Sequence, residues 1–158
     1  MLLATFIETH HTEILKVWDN FAEKLFASSK KMSPFLLRDH AAEILSELVL
    51  DMRRKESTQQ QREKSMSALL PPHLDETAAD IHGTFRQDAG LSISFLFAEY
   101  RALRASVLAL WLPKIASFKE QDFTEMLRFN EAIDDAMADS LATFELSRAA
   151  SHLGALAE

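Results

Sequence analysis

Apolar residues recur at three- and four-residue steps from the start of the chain. Leu3, Phe6, Ile7, Ile14, Trp18, Phe21, Leu25 and Phe26 share one side, while Glu8, Glu13, Lys16 and Lys24 fall on others. This spacing follows the 3.6-residue turn and predicts a first helix over residues 2–28. Ser33 followed by Pro34 has the pattern of an N-cap with proline at the first helical position. Leu37, Ala41, Ile44, Leu45, Leu48 and Met52 then repeat at the same steps, giving a second helix to about Arg53. The stretch 55–67 (KESTQQQREKSMS) is polar and has no apolar stripe, which predicts an exposed loop or weak helix and the least ordered part of the chain.

After Pro71-Pro72, Asp75 is positioned to cap a short third helix bearing Ala78, Ile81, His82 and Phe85. Gly90 stands just beyond its end, where a left-handed residue closes a helix. Ser92 caps a fourth helix with a broad stripe of Ile93, Leu96, Tyr100, Leu103, Val107, Leu110, Trp111 and Ile115. Ala98, Ala102, Ala105 and Ala109 line another of its sides, predicting close approach of a second helix, and Pro113 closes or kinks its end.

The last segment opens with Asp122 and Glu125 in capping-box register and contains neither Gly nor Pro until Gly154. One helix over about 122–156 would be roughly 50 Å long, more than the width of a domain this size. Its stripe runs through Phe123, Met126, Phe129, Ile133, Met137, Leu141 and Phe144. It then changes phase near Glu145 to Leu146, Ala149, Leu153 and Leu156. The first set packs on the domain. The second would be stranded in water without a partner, and a symmetric homodimer is the commonest remedy, with Phe144, Leu146, Ala149, Leu153 and Leu156 as its contacts.

With 158 residues, 47% of them hydrophobic, the chain can bury one core and needs no second, so residues 1–158 are expected to form one domain, with 145–158 beginning a linker helix. Three glycines and four prolines leave little material for hairpins, which favours an all-α bundle of about five helices. The absence of cysteine excludes disulfides, thiol catalysis and thiolate metal sites and suits a reducing cytoplasm. No export signal precedes Glu8, and no run approaches the ~18 apolar residues of a membrane span; Leu91 to Phe118 is interrupted by Glu99, Arg101 and Arg104. A soluble protein without a membrane partner is expected. The net charge of −7 and scattered basic residues argue against nucleic acid as a partner.

Six histidines raise the question of a metal or haem site. His10 and His11 are adjacent and diverge by about 100° on a helix, so they cannot ligate together, and both read as surface residues. His40, beside Asp39 and Glu43, reads as a hydrogen-bonded surface residue. His73 falls in a loop and His152 near the chain end. His82 lies on the apolar side of its helix, with Arg86 one turn on. It could be an axial ligand, a phosphoacceptor or a buried hydrogen-bonding residue, and the last is the expectation because buried polar side chains usually serve structure. Phosphotransfer modules place Lys and Gly soon after the acceptor His; here Gly83 comes too early and Arg86 too late. Glu99, Arg101 and Arg104, with Arg86 nearby, form either a structural ion pair or a switching network. No phosphate loop, nucleophile elbow or HExxH pattern is present, so no enzymatic activity, metal or cofactor is expected.

The segments His82-Gly-Thr-Phe-Arg86, Ala98-Glu-Tyr-Arg-Ala-Leu-Arg-Ala-Ser-Val-Leu-Ala-Leu-Trp111 and Arg128-Phe-Asn-Glu-Ala-Ile-Asp134 through Ala138-Asp-Ser140 together resemble the RsbR-type (RsbRD) N-terminal domain, as found at the front of bacterial sensor histidine kinases. Leu37-Arg-Asp-His-Ala41 extends the resemblance, which spans most of the chain. It implies a globin-like helical fold without haem that dimerises through helices including the last one. It also implies a cytoplasmic sensory input domain with a kinase or other output domain attached after that helix. A stressosome-type regulator of the RsbT co-antagonist class and a haem- or small-molecule-binding sensor are the other readings open here. The resemblance, with the charged spacing, makes His82, Arg86, Glu99, Tyr100, Arg101, Arg104 and Trp111 the candidate ligand or signal network.

Overall fold

The computed structural model describes residues 1–27, 33–66 and 75–157. Among these, seven α-helices and one 3-10 turn follow in order, and no strand occurs: α1 (Leu3–Thr9), α2 (His11–Phe26), α3 (Pro34–Met52), α4 (Thr58–Met66), α5 (Ala78–Asp88), α6 (Ile93–Trp111), the 3-10 turn Leu112–Lys114 and α7 (Glu120–Leu156). None of these helices is long and apolar enough to cross a membrane. The all-α architecture expected from the periodicity is present, with more divisions than five.

The single first helix expected over 2–28 is two helices. His10 ends α1 and precedes α2 with φ −114° and ψ 21°. The Thr9 hydroxyl donates to the Thr5 carbonyl at 2.9 Å, and the His10 ring nitrogen Nδ1 lies 3.1 Å from the Phe6 carbonyl. These side chains compete for the carbonyls that would continue the ladder, so the chain bends while the apolar stripe stays in phase. The expected end at Ser28 lies outside the described residues, as does His73.

α3 begins at Pro34, as the proline predicted. The polar stretch forms α4, a helix that buries no side chain. α5 is capped by Thr77 rather than Asp75: the Thr77 hydroxyl accepts from the Asp80 N–H at 3.1 Å and the Asp80 carboxylate accepts from the Thr77 N–H at 2.9 Å. Gly90 takes φ 69°, the left-handed stop expected of it. α6 is capped by Ser92, and Pro113 converts its end into the 3-10 turn. α7 starts two residues before Asp122, which is its third residue, its carboxylate accepting from the Lys119 N–H at 2.9 Å.

The core gathers Phe6, Ile7, Ile14 and Trp18 from α1–α2, Leu45 and Leu48 from α3, Leu96, Tyr100, Leu103, Val107 and Trp111 from α6, and Phe129, Ile133 and Phe144 from α7. α5 lies directly on α7, and Gly83 is the reason it can. A Cβ there would stand 2.0 Å from the Ser140 carbonyl oxygen and 2.2 Å from Thr143 Oγ1. Hydroxyls of α7 use that proximity: Ser140 donates to the Ala79 carbonyl at 2.6 Å and Thr143 to that of Asp80 at 2.9 Å. Across the bundle, Arg128 of α7 donates to the Met52 and Arg54 carbonyls, both at 2.9 Å, satisfying groups at the end of α3.

Two packing expectations are corrected. Ala105 and Ala109 are exposed, so among the described residues no second helix covers them, and Phe123 is exposed against Phe118 instead of packing in the core. In both places the helix lies on the outside of the bundle, where apolar side chains need no cover if they are few.

Candidate functional site: a buried polar network between four helices

His82 and Arg86 stand one turn apart on α5, so both point to the same side. That side meets Glu99 of α6. Arg86 is fully buried, and its Nε approaches Glu99 Oε1 and Oε2 at 3.0 and 2.8 Å while Nη2 reaches Oε1 at 2.7 Å. This is a fork of charge-assisted hydrogen bonds, the arrangement by which guanidinium and carboxylate compensate each other away from water. His82 Nε2 lies 3.1 Å from Glu99 Oε2 without the alignment of a hydrogen bond, and no described group bonds its Nδ1.

His40 of α3 completes the cluster. It is 7% exposed, which corrects its reading as a surface residue, and its Nδ1 is 3.3 Å from Arg86 Nη1. A guanidinium can only donate, so this nitrogen presents a lone pair and any ring proton sits on Nε2. On the other flank the Tyr100 hydroxyl is 2.7 Å from Ser140 Oγ. Ser140 donates to the Ala79 carbonyl at 2.6 Å, which leaves its oxygen as an acceptor for Tyr100, whose hydroxyl also reaches the Ala136 carbonyl at 3.2 Å. The network thus joins α3, α5, α6 and α7 in the middle of the bundle.

Burial pushes the His82 imidazole below its usual range, against the pull of Glu99, so the ring is neutral near pH 7. Burial alone would raise Glu99; with His82 neutral, the Arg86 guanidinium forked on it outweighs this and holds the carboxyl below its usual range. Burial raises the Tyr100 phenol, which remains protonated and a donor. The cluster therefore holds one cation and one anion, in contact.

The candidate residues divide between this cluster, the surface and another part of the core. His82, Arg86, Glu99 and Tyr100 come together. Arg101 is exposed and takes no part, because it lies two residues from Glu99 and faces the opposite side of α6. Arg104 pairs with Asp134 near the surface. Trp111 is buried about three turns from Glu99, its Nε1 donating to the Met1 carbonyl at 3.3 Å. Of the residues expected in a dimer, Leu146, Leu153 and Leu156 are 71%, 70% and 85% exposed and Ala149 is also exposed, whereas Phe144 is 4% exposed and belongs to the core. Phe144 is the last buried residue of α7.

Beside His82, Trp18, Ala41, Ile44, Glu99, Tyr100 and Leu103 surround a cavity of about 10 Å³, room for about one water molecule. A tetrapyrrole has no place there, and a phosphoryl donor could not reach a ring that is 2% exposed. Among the described residues, no group of three or more His, Asp or Glu side chains is arranged to hold a metal ion. His40 and Ser140 escaped the sequence reading because their partners lie 46 and 40 residues away. Gly83 offered a signal: a glycine in mid-helix is costly unless close approach requires it.

No protein-family model matches the chain, and no curated protein or solved structure matches it.

Proposed function

We propose that the chain is a non-catalytic sensory and dimerisation module: the cytoplasmic input domain of a bacterial sensor histidine kinase, acting on an output domain through its last helix. The observation that carries this reading is the division of α7. Its burial ends at Phe144, and its last bonds to the domain come from Ser147, whose hydroxyl is 2.8 Å from Gln87 Oε1 and 2.9 Å from Asp88 Oδ1. Beyond Phe144 the helix runs on to Leu156 with three large apolar side chains, Leu146, Leu153 and Leu156, in water. Such an end is marginal alone and gains stability by burying its stripe against a second copy. The resemblance at residues 82–86, 98–111 and 128–140 supplies the histidine-kinase part of the reading.

The buried network supports a sensory role in particular. An ion pair inside a bundle contributes little net stability over apolar packing, yet it holds its helices in one register. A signal that alters helix packing would act on α7 through Ser140 and the Ala136 carbonyl, where the Tyr100 hydroxyl meets it. Sedimentation velocity tests the core of the proposal. The chain 1–158 should sediment as a dimer, and a chain ending at residue 144 as a folded monomer. A monomeric full-length chain at high concentration would refute it.

A further inference from the structure

Helix α4 is attached to the bundle in an unusual way. It buries no side chain, so apolar packing does not hold it. A nine-residue helix is also too short to be stable alone in water. What fastens it is Lys64. The ammonium reaches between α3 and α7, with Nζ 3.0 Å from Asp51, 2.7 Å from Asp135 and 3.9 Å from Glu56. Two weaker ties flank it: the Ser65 hydroxyl donates to Glu131 at 3.2 Å, and the Gln61 amide oxygen can accept from Arg128 at 3.0 Å.

Beneath the Lys64 ammonium lies a cavity of about 430 Å³ walled by α3, α5 and α7. Glu47 and Asp51 face it from α3, Asp135 and Asp139 from α7, and Arg54 and Glu56 from the connection between α3 and α4. Among the described residues that line it, five carboxylates face two cations, and Lys64 is the counter-charge across its mouth. Burial opposes the ammonium, but Asp135 and Asp51 more than restore it, and Lys64 titrates above its usual range.

We propose that α4 is a detachable strap, latched across α3 and α7 by the Lys64 ammonium and released when that charge contact is screened or removed. Release unfolds α4, uncovers the acidic cavity and frees Asp135, which lies on α7 between the buried Ile133 and Ser140. The device follows from the kind of contact: an attachment made of charge is sensitive to ionic strength in a way that apolar packing is not.

Amide hydrogen exchange on the full-length chain tests this. Raising salt from about 0.1 M to about 1 M shortens the screening length from roughly 10 to 3 Å and should speed exchange in residues 59–66 by roughly tenfold or more, with α5 and the buried half of α7 changing less than twofold. Lys64→Gln at low salt should reproduce the effect, and Lys64→Arg should leave α4 protected. Protection of α4 that is indifferent to salt, or retained in Lys64→Gln, overturns the proposal. So does a Lys64→Gln variant that loses protection in α5 and α7 as much as in α4, since Lys64 would then brace the whole fold.

Discussion

Arg86 and Glu99 show why a single buried residue can matter more than its net contribution suggests. Together they are compensated; apart, either is a charge in a place without water. Replacing Arg86 with Met would leave Glu99 uncompensated, and the expected loss is about 3–5 kcal/mol. In a chain of this length that lowers the melting temperature on the order of 10 °C, measurable by calorimetry. His82 and Glu99 also set the acid side of the stability curve. Both titrate below their unfolded values, so the unfolded chain binds more protons, and stability falls as pH drops below 6.5 for His82 and below 4.5 for Glu99. The His82 part amounts to at most about 1.4 kcal/mol per pH unit, and His82→Gln should flatten the stability profile just below pH 6.5 while leaving the lower Glu99 limb. The α5 half of this cluster was legible in the sequence, because His82 and Arg86 are one turn apart on an apolar face. Its third member, Glu99, was legible as a charge on a greasy helix. His40 was not, since local spacing carries no information about a contact made across the bundle.

At the scale of elements, the two glycines of helical segments have opposite meanings. Gly83 is where α5 touches α7, and alanine there would drive a methyl group into the Ser140 backbone, which cannot yield as a side chain could. Gly154 lies in the exposed end of α7, where a methyl group would meet nothing within 4 Å. Gly83→Ala should therefore cost about 1–3 kcal/mol by overpacking, whereas Gly154→Ala should stabilise the end of α7 by roughly 0.5–1 kcal/mol through helix propensity. Chemical denaturation reads the first and the helical circular dichroism signal the second; a neutral Gly83→Ala would show that α5 can lift from α7 freely. The same contrast explains which boundaries could be read in advance. Gly90, Ser92 and Pro34 act on their own neighbours and stopped or started helices where expected. The break at His10 and the cap at Thr77 depended on which of several adjacent polar side chains reached the backbone first, and composition alone does not rank them.

Over the whole molecule, α7 links the interior to the surface without interruption. At about 1.5 Å per residue its 37 residues extend roughly 55 Å, from a second turn beside the Ala4 N–H, which donates to Glu125 at 3.1 Å, past Ser140 in the network, to the uncovered leucines. The phase change near Glu145 is not a break in the helix, because the backbone stays helical from Glu120 to Leu156; only the cover ends. That distinction yields a prediction about concentration. A helical end stabilised by a second copy gains its stability by mass action, whereas an end stable by itself does not. Diluting the protein through its dimerisation range should therefore speed amide exchange in residues 148–156 while leaving residues 129–144 unchanged. Leu153→Glu should produce the diluted pattern at every concentration, because a carboxylate cannot be buried unpaired in an apolar seam. If residues 148–156 exchange at the same rate at all concentrations and in Leu153→Glu, the last turns of α7 carry their own stability, and the leucine stripe has some use other than joining two copies.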